Sequence, residues 1–192
     1  SAIDITEQRE KEEKITYISY HDSLTGLYNR SFLEEELNRL NVKRKLPITL
    51  IMADLNGLKL INDSYGHKKG DELLVNTADV LKDSCRKEDI IARWGGDEFL
   101  ILLPKTTINE GNEIVKRIKN NSKNYSLKKE EDNIPLSIAL GAATKHNDKE
   151  NIYDILDEAE DKMYKNKLME SRSVKSNIVN SLLRTLSEKS QE

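Results

Sequence analysis

The sequence predicts an α/β (α+β) domain in which helices flank a mixed central β-sheet, and three observations predict it. Apolar, β-prone runs of strand length stand at Pro47 to Ala53, Ile90 to Ala92, Phe99 to Leu103 and Leu136 to Ala143, each bounded by polar residues, Gly or Pro. Between them lie segments whose apolar residues recur at helical spacing. The two kinds of segment alternate along the chain, the order from which layered sheet-and-helix domains are built.

Taken in order, Glu7 to Lys14 is almost wholly charged, and Ile15 and Ile18 lead toward Asp22 with helical spacing, so a solvated helix opens the chain. Ser31 with Glu34 three residues on has the form of a capping box, starting a helix to about Lys43. The strand Ile48 to Ala53 ends at Asp54. A loop and short helix carry Asn56 to Tyr65, Gly66 stops it, and Asp71 is expected to start a helix with Leu73, Leu74, Thr77, Val80 and Leu81 on one face. Gly95-Gly96 reads as a tight hairpin turn between the next two strands. Glu113 to Lys123 is helical with Ile114, Val115 and Ile118 inward, Lys128 to Asn133 is a polar loop, and Leu136 to Ala143 is expected to be a central strand. Asn151 opens a long helix through Ile155, Leu156, Ala159 and Met163; beyond it Ile178, Leu182, Leu183 and Leu186 form a stripe with no packing partner in view.

Composition narrows the function. The 192 residues suffice for one domain with extensions, 34% are charged, and the formal net charge is −3. No Lys/Arg block offers a surface to nucleic acid. The single Cys85 excludes an internal disulfide and a thiolate metal cluster, and reads as a helix-borne residue in a reducing compartment. No apolar run approaches the roughly 20 residues of a membrane span, so the expectation is a cytoplasmic domain without direct membrane contact, excised from something larger that could itself be tethered.

The chemistry concentrates in Arg93-Trp94-Gly95-Gly96-Asp97-Glu98-Phe99. Bare glycine backbone lets a substrate approach while the strands hold Asp97 and Glu98 beside it. A Gly-Gly hairpin with solvated acids is common in itself, but Asp54 adds a second carboxylate where a strand becomes a loop. Two acidic strand ends suit a divalent metal whose shell is completed by phosphate and water. The short loop Leu55-Asn56-Gly57-Leu58 could turn its amides to phosphate oxygens where the next helix begins.

Four stretches, in one order, carry a family resemblance: Asp22-Ser-Leu-Thr-Gly-Leu-Tyr-Asn-Arg30, Asp54-Leu-Asn-Gly-Leu-Lys59-Leu-Ile-Asn62-Asp63, Gly66-His67-Lys-Lys-Gly70-Asp71, and the Gly-Gly-Asp-Glu-Phe hairpin. From Asp22 to about Arg172 the chain resembles the GGDEF domain of diguanylate cyclases. The resemblance implies a nucleotidyl-cyclase palm-like fold and an enzyme that condenses two GTP molecules into cyclic di-GMP as a homodimer. It further implies Mg2+ or Mn2+ held by Asp54, the Leu55 carbonyl and Asp97, with Asp97 or Glu98 deprotonating the attacking hydroxyl. Lys59, Gly95, Gly96, Lys167 and Arg172 would contact the nucleotide, and Asn62 and Asp71 would read guanine. Arg86 and Asp89 match a product-inhibition motif, with Arg117 as a secondary grip on the same ligand.

One departure stands out. The family has, four residues on from its lysine, an arginine in a Gly-Arg-Asn context; here Leu168-Met169-Glu170-Ser171-Arg172 lacks the Gly and sets Arg172 one residue late. Leu58 also stands where the family often has Phe. The expected organisation is a signalling helix at 1–21, the cyclase domain at 22–172 and a helical linker at 173–192. A sensor would precede the domain, and the linker resembles one leading into an HD-GYP phosphodiesterase. The competing reading is a degenerate domain that binds GTP or cyclic di-GMP and regulates such an effector.

Overall fold

The computed structural model describes residues 1–128 and 134–190. Its elements are α1 (Ala2–Tyr20), β1 (Tyr28–Asn29), α2 (Arg30–Leu40), β2 (Ile48–Leu55), α3 (Leu58–Tyr65), α4 (His67–Ser84), β3 (Ile90–Arg93), β4 (Glu98–Leu103), α5 (Ile108–Lys128), β5 (Ile138–Lys145) and α6 (Ile152–Lys189). The five strands form one sheet in the order β1-β3-β4-β2-β5. Only β1 and β3 run parallel, and the other neighbours are antiparallel, so the sheet is mixed as expected.

Strand alternation divides the core in two. Ile51, Ala53, Leu55, Phe99 and Ile101 meet Ile61 of α3, Leu73 and Leu81 of α4, and Ile114 and Ile118 of α5. Leu50, Met52, Leu100 and Leu102 point the other way, onto Leu33 and Leu37 of α2 and Ile155, Ala159 and Met163 of α6. Asp54 continues the second alternation, so its carboxylate emerges on the α2/α6 side at the end of β2.

Several boundaries differ from expectation. Asn29, not Ser31, caps α2, accepting from the Phe32 amide at 3.0 Å, and Glu34 instead pairs with Arg30 at 2.8 Å. Pairing of Tyr28 and Asn29 with Ala92 and Arg93 fixes where the strand ends and hence where the helix starts. α4 begins at His67 rather than Asp71, because Gly66, at φ +89°, both ends α3 and leads into α4. β5 lies at the sheet edge rather than the centre. All its residues are buried, which gives it a central strand's composition; α6 covers the edge, with Lys162 and Asn166 donating to the Ala142 and Leu140 carbonyls at 3.1 and 2.7 Å. Of the polar loop expected at 128–133, Lys128 ends α5 and the remainder lies outside the described residues.

Candidate active site

Antiparallel pairing of β2 with β4 sets Asp54 directly opposite Glu98, so two acids share one face of the sheet. The Leu55 amide donates to the Asp97 carbonyl at 2.9 Å, fixing the third acid at the same end. Asp54 is only 4% exposed and receives Lys167 Nζ at 2.8 Å, from α6. A lysine so close ordinarily holds a carboxyl low. Here burial, with the charges of Asp97 and Glu98, outweighs it and pushes Asp54 up to about 6. Burial and Asp97 also raise Glu98. Burial disfavours the Lys167 charge, but its hydrogen bond to Asp54 and the three carboxylates prevail and raise it.

These acids suit a divalent cation. Three crowded carboxylates keep one lysine charged yet leave Asp54 reluctant to ionise, a conflict that a dication would resolve with hard oxygen ligands. Among the described residues no three His, Cys, Asp or Glu side chains form a metal cage by themselves. A site of few carboxylates, completed by phosphate and water, agrees with that.

The hairpin is anchored from two sides by the Asp22-to-Arg30 segment, a role the sequence reading did not assign. Arg93 donates to the Gly96 carbonyl through Nε at 3.1 Å and a terminal nitrogen at 2.7 Å, and reaches Asp22 at 3.3 Å. Asp22 is itself fixed by the Thr25 amide and hydroxyl at 2.9 and 2.7 Å; these bonds and Arg93 hold its carboxyl below the ordinary value even though burial pulls the other way. On the other flank the Arg30 guanidinium lies 4.4 Å from the Trp94 ring centroid. The turn also differs from the expected two-residue glycine turn: residues 94–97 separate β3 from β4, and neither glycine has positive φ. A Cβ at Gly95 would meet Glu98 Oε2 at 2.8 Å, whereas one at Gly96 would enter open space. Gly95 thus makes room for the acid, and Gly96 leaves its face open to a ligand.

Beyond Asp54 the chain turns through Gly57, at φ +80°, into α3. Asn56 donates to Ser137 Oγ at 3.0 Å and Glu170 Oε2 at 3.2 Å. Lys59 is exposed on α3, and Asn62 is half-buried one turn later. Asn62 Oδ1 is packed so closely on Gly70 that any Cβ there would overlap it. This contact brings Asn62 beside the residue preceding Asp71, which is exposed one turn inside α4. Arg172 is exposed; five residues beyond Lys167, it is turned about 140° around the helix from it.

Residues 19–173 match the family described as "Diguanylate cyclase, GGDEF domain". The chain belongs to that family. It is 33% identical over 168 residues to Diguanylate cyclase DgcM of Escherichia coli K12, an alignment covering 85% of this chain and 40% of the relative. It therefore spans about two fifths of that relative's length. Among solved structures, the coiled-coil and GGDEF domain of Caulobacter crescentus DgcB in complex with c-di-GMP has a TM-score of 0.76 at 23% identity, covering 85% of this chain and 88% of that one. The GGDEF domain of Pseudomonas aeruginosa TpbB (YfiN) has a TM-score of 0.66 at 31% identity, covering 78% and 89%.

In this GGDEF chain a cavity of about 350 Å³ opens between α4, β3 and the Gly26 turn, lined by His21, Leu27, Tyr28, Cys85, Arg86 and Asp89. Arg86 and Asp89 are joined by the Arg86 backbone amide, which donates to Asp89 Oδ2 at 2.7 Å. Burial raises the Asp89 carboxyl despite that bond, the nearby Arg86 and Arg117 charges opposing the rise. Arg117 reaches across from α5 to the Ser84 carbonyl at 3.1 Å. Burial pushes the Cys85 thiol up to about 12, which keeps it protonated.

Proposed function

We propose that this chain is a Mg2+-dependent diguanylate cyclase that joins two GTP molecules into cyclic di-GMP as a homodimer and is restrained by its product. The observation that carries the reading is the juxtaposition, at one end of β2, of Asp54, Asp97, Glu98 and Lys167 with an open glycine backbone. A bound divalent cation would neutralise phosphate charge there, with Asp54, the Leu55 carbonyl and Asp97 as its ligands; Mn2+ would serve the same oxygens. Lys167 would pass from Asp54 to the phosphates once the cation is present. Asn62 and Asp71 bind guanine, the carboxylate accepting from N1 and the exocyclic amine, which adenine cannot satisfy in the same way.

In each half-reaction the ribose 3′-oxygen bonds to an α-phosphorus, the bond from that phosphorus to the pyrophosphate oxygen breaks, and the hydroxyl proton passes to Asp97 or Glu98. One domain presents one GTP, so two must face each other. With GTP as its substrate the domain would work in the cytoplasm, and in the parent protein a sensor would precede it and an effector follow it. Arg86 and Asp89 line the cavity beside the Gly26 turn, where an arginine fork and a carboxylate suit guanine and phosphate, and Arg117, held on the nearby Ser84 carbonyl, would add a secondary grip. Incubation with GTP and Mg2+, with product analysis, tests the activity. Cyclic di-GMP and pyrophosphate are expected, and neither should form with chelator or from ATP. If GTP is bound but never converted, the chain is instead a ligand-binding regulator, a reading favoured by the displaced Arg172 and by Lys167 being engaged with Asp54.

A further inference from the structure

α6 does not end with the cyclase motifs. It runs unbroken from Ile152 to Lys189, whereas the family match stops at 173. Its first half packs on the α2 side of the sheet through Ile155, Ala159 and Met163. It then crosses the end of β2, where Lys167 meets Asp54 and Glu170 meets Asn56. Past that point Val174 and Ile178, 6% and 1% exposed, join the core on the opposite side of the sheet. One helix therefore straps the edge at which the nucleotide loop emerges.

The contact with that loop is direct. A Cβ at Gly57 would lie 2.8 Å from Ile178 Cδ1 and 3.3 Å from Val174 Cγ1. One face of the half-buried Gly57, on the loop after β2, is thus packed by two apolar side chains of the helix. Glu170 takes a hydrogen bond from Asn56 and ties the helix to Lys119 of α5 at 3.4 Å, setting a carboxylate where a triphosphate would approach. The closed arrangement also has a cost. Asn56 Oδ1 and the Ser181 hydroxyl are buried without hydrogen-bond partners among the described residues, each a penalty that opening to water would relieve.

We propose that residues 173–189 of α6 are an autoinhibitory strap over the Asn56-Gly57 loop, and that GTP binds the chain in which this strap has lifted. The inference rests on the nucleotide site proposed above. A ligand that binds only the open state has its apparent affinity reduced by the open fraction, so a chain open about one tenth of the time binds about tenfold more weakly than an open one.

The test uses the full chain with a non-hydrolysable GTP analogue and Mg2+. Ile178→Asp should tighten analogue binding by about tenfold, about 1.4 kcal/mol. Val174→Ala, a smaller cut in the same apolar contact, should tighten it to a smaller extent and covers the case in which Ile178→Asp misfolds. In the parent chain, saturating analogue should accelerate amide hydrogen exchange across 174–185. If parent and variants bind the analogue equally and the strap's exchange is unchanged or slower, the strap is overturned while the nucleotide site stands. If neither parent nor variants bind it, both fail together.

Discussion

Asp54 faces conflicting demands, and pH separates them. In the metal-free chain burial pushes its carboxyl up to about 6, against 3.8 for an ordinary aspartate, so the folded state holds the proton more tightly than the unfolded state. This residue's contribution to stability is fully present below about pH 3.8 and is lost as the pH rises through about 6. Asp54→Asn fixes the neutral form. It should stabilise the metal-free chain at about pH 8 by an amount on the order of 1–3 kcal/mol, the difference closing below about pH 4. The same variant should lose metal-dependent turnover. Thermal unfolding across pH in the presence of chelator checks the first part, and a lower Tm for the variant at high pH would contradict it. The proposed reading of guanine is also a residue-scale matter. Gly70→Ala should displace Asn62 and weaken GTP binding by about 1–3 kcal/mol, the range expected for donors and acceptors left unpaired. Asp71→Ala should do the same from the other side, and unchanged GTP affinity in both would mean that guanine is read elsewhere.

At the scale of elements, the signature hairpin depends on a segment far away in sequence. Arg93→Ala removes two donors from the Gly96 carbonyl and leaves Asp22 without its cation. Charge-assisted bonds of this kind contribute about 1.5–3 kcal/mol, so Tm and turnover should both fall. Arg93→Lys should not restore turnover, because one ammonium cannot reproduce the fork; full rescue by lysine would show that charge alone matters. The acids at Asp54, Asp97 and Glu98 were legible in the sequence because each stands at the end of an apolar strand run, and strand pairing then had few ways to arrange them. The Asp22-to-Arg93 link was not, since residues 71 positions apart meet only through the parallel pairing of β1 with β3. Ser31-x-x-Glu34 has a valid capping pattern, yet Asn29 caps α2 because that same pairing sets the end of β1. The stripe at Ile178 offered no local partner because its partner is Gly57, on the loop after β2. Local chemistry was readable; contacts that only the assembled sheet creates were not.

At the scale of the whole molecule, control and catalysis should separate. If the cavity beside Arg86 and Asp89 holds product, Arg86→Ala should relieve inhibition by cyclic di-GMP while changing the initial rate little, since the cavity lies away from the end of β2. Unchanged inhibition would reduce these residues to a structural turn in which Asp89 only accepts the Arg86 amide. The demand for two domains gives the strictest test. If each domain supplies one GTP and one set of acids, as proposed, product requires two competent chains in a symmetric pair. Turnover per chain should therefore rise with protein concentration until pairing saturates. When parent chain is diluted with Asp97→Asn at constant total concentration, activity should fall as the square of the competent fraction. A mixed pair still binds two nucleotides, but only one half has the acids for its step, and the ring cannot close. A linear fall would mean that one competent domain suffices for both bonds, and the requirement for two sets of acids would have to be abandoned even if cyclic di-GMP is made.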